Sequence, residues 1–296
     1  MAFFAGDWHA MTIIDSNQQK YSPFTIPKEL WTHRQLLWSL GKNDFKQKFA
    51  GSYLGVVWAF IQPVVTVLVY WFVFQMALNV GTQSTKAGIE APYVLWLLGG
   101  LVPWFFFNDA VVSGAGALIS YDYLVKKVVF QVSILPVVKV FSSLFVHLFF
   151  VVFTLVVYML YGYFPTVYML QILYYFFAML ALVLGLVYMT SAITALFKDM
   201  TQLISIALQV LIWMTPIMWN LQTMVDSGRI SGPLLIILKL NPMYYIVSGY
   251  RDALLDHQWF WQHPGLGLYY WAVAICMFVI GTRLFTKLEP SFADVL

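Results

Sequence analysis

Charge is scarce in this sequence. Only 10% of its 296 residues are Asp, Glu, Lys or Arg, against roughly 25% in a soluble domain. Hydrophobic residues make up 61% and the mean hydropathy is +0.77. That balance excludes an ordinary soluble globule and points to a membrane protein. Neither sign dominates, with 16 Lys and Arg against 13 Asp and Glu, so nothing suggests a nucleic-acid partner. Cysteine is almost absent. The single Cys276 excludes an intrachain disulfide and, inside an apolar run, reads as a small buried hydrophobe.

Chemical motifs are missing too. There is no G-x-x-x-x-G-K-[ST], so ATP is not bound here through a P-loop, and no H-E-x-x-H, C-x-x-C or G-x-S-x-G. No metal site is expected. The histidines His9, His33, His147, His257 and His263 are scattered, and only His147 falls in a span. With Ser143 one turn before it, His147 reads as a helix-packing residue. A glycan-modifying transferase would want an intramembrane His or carboxylate pair. An ion-coupled carrier would want discontinuous helices in repeated halves. Neither is visible. The first fifty residues lack a continuous apolar core, so insertion is expected to be directed by the spans themselves.

Long apolar runs are what the chain has instead. A span needs about 20 mostly apolar residues, and Val56–Leu78, Tyr93–Val112, Leu135–Tyr161, Tyr168–Leu196, Leu203–Trp219 and Leu266–Phe285 qualify, the fifth being short. The expected fold is an all-α integral membrane protein of about six transmembrane helices. Residues 1–55 form an N-terminal tail carrying an amphipathic interface helix, 56–285 the transmembrane domain, and 286–296 a C-terminal tail. Lys20, Lys28, Arg34, Lys42, Lys46, Lys48, Lys126, Lys127, Lys198, Arg283 and Lys287 lie on one side of that topology, and Lys86, Arg229, Lys239 and Arg251 on the other. The positive-inside rule then places both termini in the cytoplasm. Between the last two spans, Asn220–Pro264 holds two apolar pieces broken at Asn241-Pro242, each too short to cross. They read as re-entrant helices lining an exit, or as a cap packed on the outer face.

On the cytoplasmic side the stretch "NDFKQKFAGSYLGVVW" runs from a lysine-studded helix, with no linker, through a bend bracketed by Gly51 and Gly55 into the first span. Phe45, Phe49 and Tyr53 share one helical face flanked by Lys46 and Lys48, the arrangement of a helix lying among headgroups with its lysines snorkelling. It is either a surface anchor or a lever continuous with the span. "SYDYLVKKVVF" supplies a second structured element, with Asp122, Lys126 and Lys127 exposed beside Tyr121 and Tyr123. Together they suggest a docking platform. Asp109 and Lys139 are the notable charges within spans, and mutual pairing or snorkelling accounts for them. Aromatic rings are abundant at 19%. Trp58, Tyr70, Phe74, Trp104, Trp213 and Trp219 fall at depths where they could line a path for a glycan, whose apolar C–H faces stack on rings, or simply pack against lipid and core.

These motifs, in order, resemble a known family. Ser52, Leu54, Gly55, Trp58 and Pro63 open the first span; Pro103, Trp104, Phe106 and Phe107 mark the second; Leu124 to Phe130 form a coupling segment, and Leu135-Pro136 comes next. Phe197–Asp199, Thr215–Trp219, Asn241-Pro242 and Tyr250-Arg251 follow. The chain from about Leu36 onward resembles the membrane subunits of polysaccharide-exporting ABC transporters. The ending "PSFADVL" looks like the wall teichoic acid branch rather than the O-antigen branch. Asn43-Asp44 and Phe130-Gln131 depart from the family's R-D and F-P.

The resemblance implies a homodimer bound to two ATP-binding cassette subunits, which hold the ATP and Mg, in a bacterial plasma membrane. It implies export of undecaprenyl-diphosphate-linked teichoic acid, with O-antigen or capsule export as the alternative. Asp44, Phe45, Lys46, Lys48, Phe49, Tyr121, Asp122, Tyr123, Lys126 and Lys127 would meet the ATPase. Asn241, Pro242, Tyr250 and Arg251 would form the exit.

Overall fold

Each apolar run becomes a helix whose ends are set by proline, glycine or a polar break. The computed structural model describes residues 30–127 and 131–296. Lys20, Lys28 and His9 of the N-terminal tail, and Phe130 of the coupling segment, lie outside the described residues. The first helix, α1 (Arg34–Lys48), ends at Phe49. The chain then bends through Gly51 and Gly55, at φ of 86° and 52°, a left-handed region that glycine enters without steric cost. A 3₁₀ turn (Gly55–Val57) opens α2 (Trp58–Trp71), which widens into a π-helical turn at Phe72–Ala77. Surface helix and first span are thus separated by a glycine turn, at the bend that Gly51 and Gly55 bracket in the sequence.

A small antiparallel hairpin follows, β1 (Gln83–Ser84) against β2 (Glu90–Ala91), with Gln83 opposite Ala91. Next come α3 (Tyr93–Ala115), the short α4 (Ala117–Ser120) and α5 (Asp122–Val125), then α6 (Ile134–Leu160) and α7 (Gln171–Leu196). After α8 (Met200–Met214) the chain forms α9 (Leu221–Asp226), α10 (Gly232–Leu240) and α11 (Pro242–Arg251), the last running on into a π turn at Asp252–Asp256. The long α12 (Pro264–Leu288) and the terminal α13 (Phe292–Val295) complete it.

Among the described residues five helical stretches are long and apolar enough to cross a bilayer: Gly55–Ala77, Tyr93–Ala115, Ile134–Leu160, Val167–Leu196 and Pro264–Val295. The protein is an all-α multi-pass membrane protein. The fifth expected span differs. Its helix, α8, has only 15 residues, about 22 Å at 1.5 Å per residue, short of a hydrocarbon core of about 30 Å. The apolar run continues to Trp219 as irregular chain, because a residue before proline is pushed out of the helical region and Thr215 precedes Pro216.

Helix α3 is the hub. Leu95, Leu97, Leu101 and Ala110 on it are fully enclosed by α6, α7 and α11. Among the described residues the most extensive helix pairing is α7 with α12, which meet at Gly185 and Gly281. A Cβ on Gly281 would overlap the Gly185 carbonyl oxygen, so only glycine permits this approach. By contrast α2 and the π turn after it are peripheral, with Val65, Leu68, Val69 and Phe72 about half exposed. Cys276 also faces outward, correcting its expected burial. A lipid-facing side chain has no reason to be polar, and hydropathy alone cannot tell that face from the core.

Candidate functional site

At the end of the bundle that carries α1, two helix–bundle ion pairs stand one turn apart. Asp44 is buried and accepts from Lys139 Nζ of α6 at 2.6 Å and from the Tyr121 hydroxyl at 2.7 Å. Lys139 also lies over the Tyr121 ring, 4.8 Å from its centroid. Burial and the Asp44 carboxylate beside it push the Tyr121 phenol up, so it stays a donor. Lys48 pairs in the opposite sense with Asp109 of α3 at 2.5 Å, and Ser143 of α6 donates to the other Asp109 oxygen at 2.7 Å. Asp109 and Lys139 therefore do not pair with each other, and Lys48 turns toward the bundle instead of only snorkelling. The partners lie 61 and 95 residues apart in sequence, beyond what spacing can reveal.

This geometry divides the expected ATPase-contact residues. Asp44 and Tyr121 face inward and are not available on the surface. Phe45 stacks on Phe145 of α6 at 5.1 Å and meets Phe49 at 5.7 Å, so both rings are half-covered. Lys46, Tyr123, Lys126 and Lys127 remain exposed, and Asp122 sits 3.9 Å from Lys126 as a loose surface pair. Beneath the coupling segment Phe292 of the C-terminal turn is fully buried against Phe285, in one cluster with Tyr121 and Val125. The last residues are thus a wedge under this platform.

The far end is organised by Arg251. Its guanidinium is buried, donates to the carbonyls of Pro216 and Ile217 at 2.7 Å each and Trp96 at 3.3 Å, and stacks 3.7 Å from the Trp96 ring. Trp96 is in the first turn of α3, and the Pro216 and Ile217 carbonyls belong to the break after α8, where no helix satisfies them. Asn241 joins the same place, accepting from Met243 N–H to cap α11 and donating to Thr215 Oγ1 at 2.7 Å, with Pro242 at the first helical turn. Helices α10 and α11, with 9 and 10 residues, are too short to cross, as expected. Tyr250 is buried with its hydroxyl 3.3 Å from His147 Nε2, and His147 packs between Phe106 and Phe176. Of the expected exit residues, Asn241 and Arg251 thus both fasten the break after α8, from opposite ends of α11, whereas Tyr250 faces His147 inside the bundle.

Beside them opens a cavity of about 470 Å³ lined by Lys86, Trp96, Asn220, Asp226, Tyr244 and Arg251 among others. Lys86 closes one wall, donating to Asp252 at 2.7 Å and Ser248 at 2.9 Å. Burial pushes the Asp252 carboxyl up, and the Lys86 ammonium opposes that. The Lys86 tether was not foreseen, since an isolated lysine in a loop carries no pattern.

The candidate path rings separate as well. Trp104 is buried against Phe107 and belongs to the core. Tyr70 and Phe74 are half-buried, Phe74 stacking on Tyr93 at 5.7 Å. Trp58 and Trp213 are exposed, and Trp219 donates its indole N–H to the Trp213 carbonyl at 3.0 Å. The open rings stand on α2, on α8 and on the turn after α8.

The family model for ABC-2 type transporters matches residues 35–255. The chain belongs to the ABC-2 type transporter family. The match takes in α1, the coupling segment, the α8 break and the re-entrant pair, so this ABC-2 type chain is the membrane part of an ABC transporter, which is driven by an ATPase partner. It is similar to the O-antigen export system permease protein RfbA of Myxococcus xanthus, 27% identical over 269 residues, covering 91% of this chain and 98% of that protein. It is also similar to an O-antigen export system permease protein RfbA of Klebsiella pneumoniae, 23% identical over 263 residues, covering 88% and 95%.

Proposed function

We propose that this ABC-2 chain is the permease subunit of an ATP-driven exporter of a lipid-linked polysaccharide, of the O-antigen class. The observation that carries this reading is its similarity, along nearly their whole length, to proteins named as O-antigen export permeases. The wall teichoic acid reading drew on "PSFADVL". That segment supplies Phe292, which packs beneath the coupling segment and lies at the opposite end of the molecule from the polar cavity, so its sequence speaks for packing more than for substrate.

In this reading the α1 end faces the cytoplasm, where Lys46, Tyr123, Lys126 and Lys127 meet the ATPase. Two ATPase subunits bind ATP and Mg and drive two copies of the permease. The exposed faces of α2 and α8 from both copies border the path, with Trp58, Tyr70, Phe74, Trp213 and Trp219 offering rings to successive sugars. Partly disengaged rings favour such sliding, since stacking is tolerant of which sugar is present. The re-entrant pair and the cavity beside it form the outer mouth.

The test is complementation. The chain, expressed with its own ATPase, should restore surface O-antigen in a strain lacking its O-antigen permease, seen as the return of the long-chain lipopolysaccharide ladder. Rescue of a teichoic acid permease mutant with no rescue of the O-antigen strain would overturn the polymer assignment.

A further inference from the structure

The bend at Gly51 and Gly55 raises a mechanical problem. A push on α1 cannot travel lengthwise into α2 through a turn with two left-handed glycines, because such a turn yields before it transmits force. The side chains offer another route. Asp44 and Lys48 are four residues apart and so share one face of α1. One carries negative charge to Lys139 on α6, and the other carries positive charge to Asp109 on α3. Ser143 ties Asp109 back to α6, and Tyr121 ties Asp44 to the coupling segment. Gly41, one turn earlier, lets α1 lie so close to α6 that a Cβ there would overlap the Phe141 ring.

We infer that α1 drives the bundle sideways, through these two crossed ion pairs into α3 and α6, and not lengthwise through its chain connection to α2. Opposite polarity at the two points matters. Sliding α1 by one turn along the bundle would bring Asp44 toward Asp109, or Lys48 toward Lys139, so the pairing fixes register as well as contact. Asp44, Lys48, Asp109 and Lys139 are positioning residues for coupling. Helix α2 is then free to part from α3 while α1, α3 and α6 move as one body. The inference rests on the reading of the α1 end as the ATPase-facing end.

The experiment uses the complete transporter, permease with its ATPase subunits, in nanodiscs on a Cys276→Ser background, with one labelled permease copy per dimer. Nitroxide pairs at Lys42 and Leu148 report α1 against α6, and pairs at Lys42 and Leu68 report α1 against α2. Between nucleotide-free and ATP-bound states the first distance should stay constant and the second should shift. Lengthening the turn after Gly51 by a Gly-Ser pair should leave ATP turnover and export intact. Asp44→Asn with Lys48→Met should keep ATP turnover but lower export about tenfold, the order expected when partly buried ion pairs lose a member. Exchanging both pairs together, Asp44→Lys with Lys139→Asp and Lys48→Asp with Asp109→Lys, keeps the crossed polarity and should recover much of that loss, which a variant that merely misfolds would not. A constant α1–α2 distance with a shifting α1–α6 distance would overturn the inference, as would export lost on lengthening the turn. A wild-type complex that turns over no ATP would instead overturn the permease reading beneath it.

Discussion

Arg251 shows how a single side chain can hold a membrane protein open to irregular structure. Backbone carbonyls freed at the α8 break would be costly in an apolar surrounding, and one planar guanidinium satisfies two of them, at Pro216 and Ile217, while a third bond to the Trp96 carbonyl and stacking on the Trp96 ring tie it to α3. Lysine is a point charge without that fork. Arg251→Lys should therefore cost on the order of 2–4 kcal/mol of stability, from carbonyls left unpaired, read as a lower unfolding temperature in detergent. An unchanged midpoint would show that Arg251 is not what fastens the break. The rings make a different residue-scale prediction. Trp104→Ala, a core change, should reduce the amount of folded protein, by about 3–5 kcal/mol of stability. Trp58→Ala, Trp213→Ala and Trp219→Ala should leave protein level intact and lower polymer export per inserted permease. If all three export at the wild-type rate, those rings face lipid and not the polymer. Tyr250 and Arg251 could be singled out as a motif in the sequence. Their partners could not, because His147 and Trp96 lie 103 and 155 residues away.

Among the elements, the α7–α12 pair and the platform carry the sharpest expectations. Gly281→Val would force a branched side chain into the Gly185 backbone, where no flexible neighbour can give way. It should separate the two helices and lower the yield of folded protein far more than Gly265→Val, whose Cβ would meet nothing. Equal yields would mean the pair adjusts without loss. At the platform, charge reversal at Lys126 and Lys127 should leave the permease inserted while weakening capture of its ATPase on co-purification. Both side chains are exposed, and among the described residues Lys126 forms a loose surface pair with Asp122 at 3.9 Å, so the fold itself loses little. Undiminished capture with normal export would reduce the two lysines to topology signals. Most helices were legible in advance because an apolar run of span length can be little else. The extent of α8 was not, since hydropathy continues through Pro216 while the helix cannot.

For the molecule as a whole, the missing P-loop predicts that the purified permease releases no phosphate from ATP until its ATPase subunits are added. Turnover that survives removal of every co-purified chain would sink that assignment. What the sequence determined by itself is the class of solvent and the number of apolar runs. Composition and run length are local, additive properties, and a bilayer tests each run almost independently. The motifs marked the places of α1, the short α5 and the α10–α11 pair for the same reason, being short and contiguous. The tertiary structure alone decided that Asp44 and Tyr121 face inward, that Lys48 reaches Asp109 and Lys86 reaches Asp252, and that the C-terminal turn is a wedge. In each of these a charge or ring meets a partner from another helix. Which of several equally apolar or equally charged groups meets which is set by how the helices pack around α3, a property no stretch of the chain holds by itself.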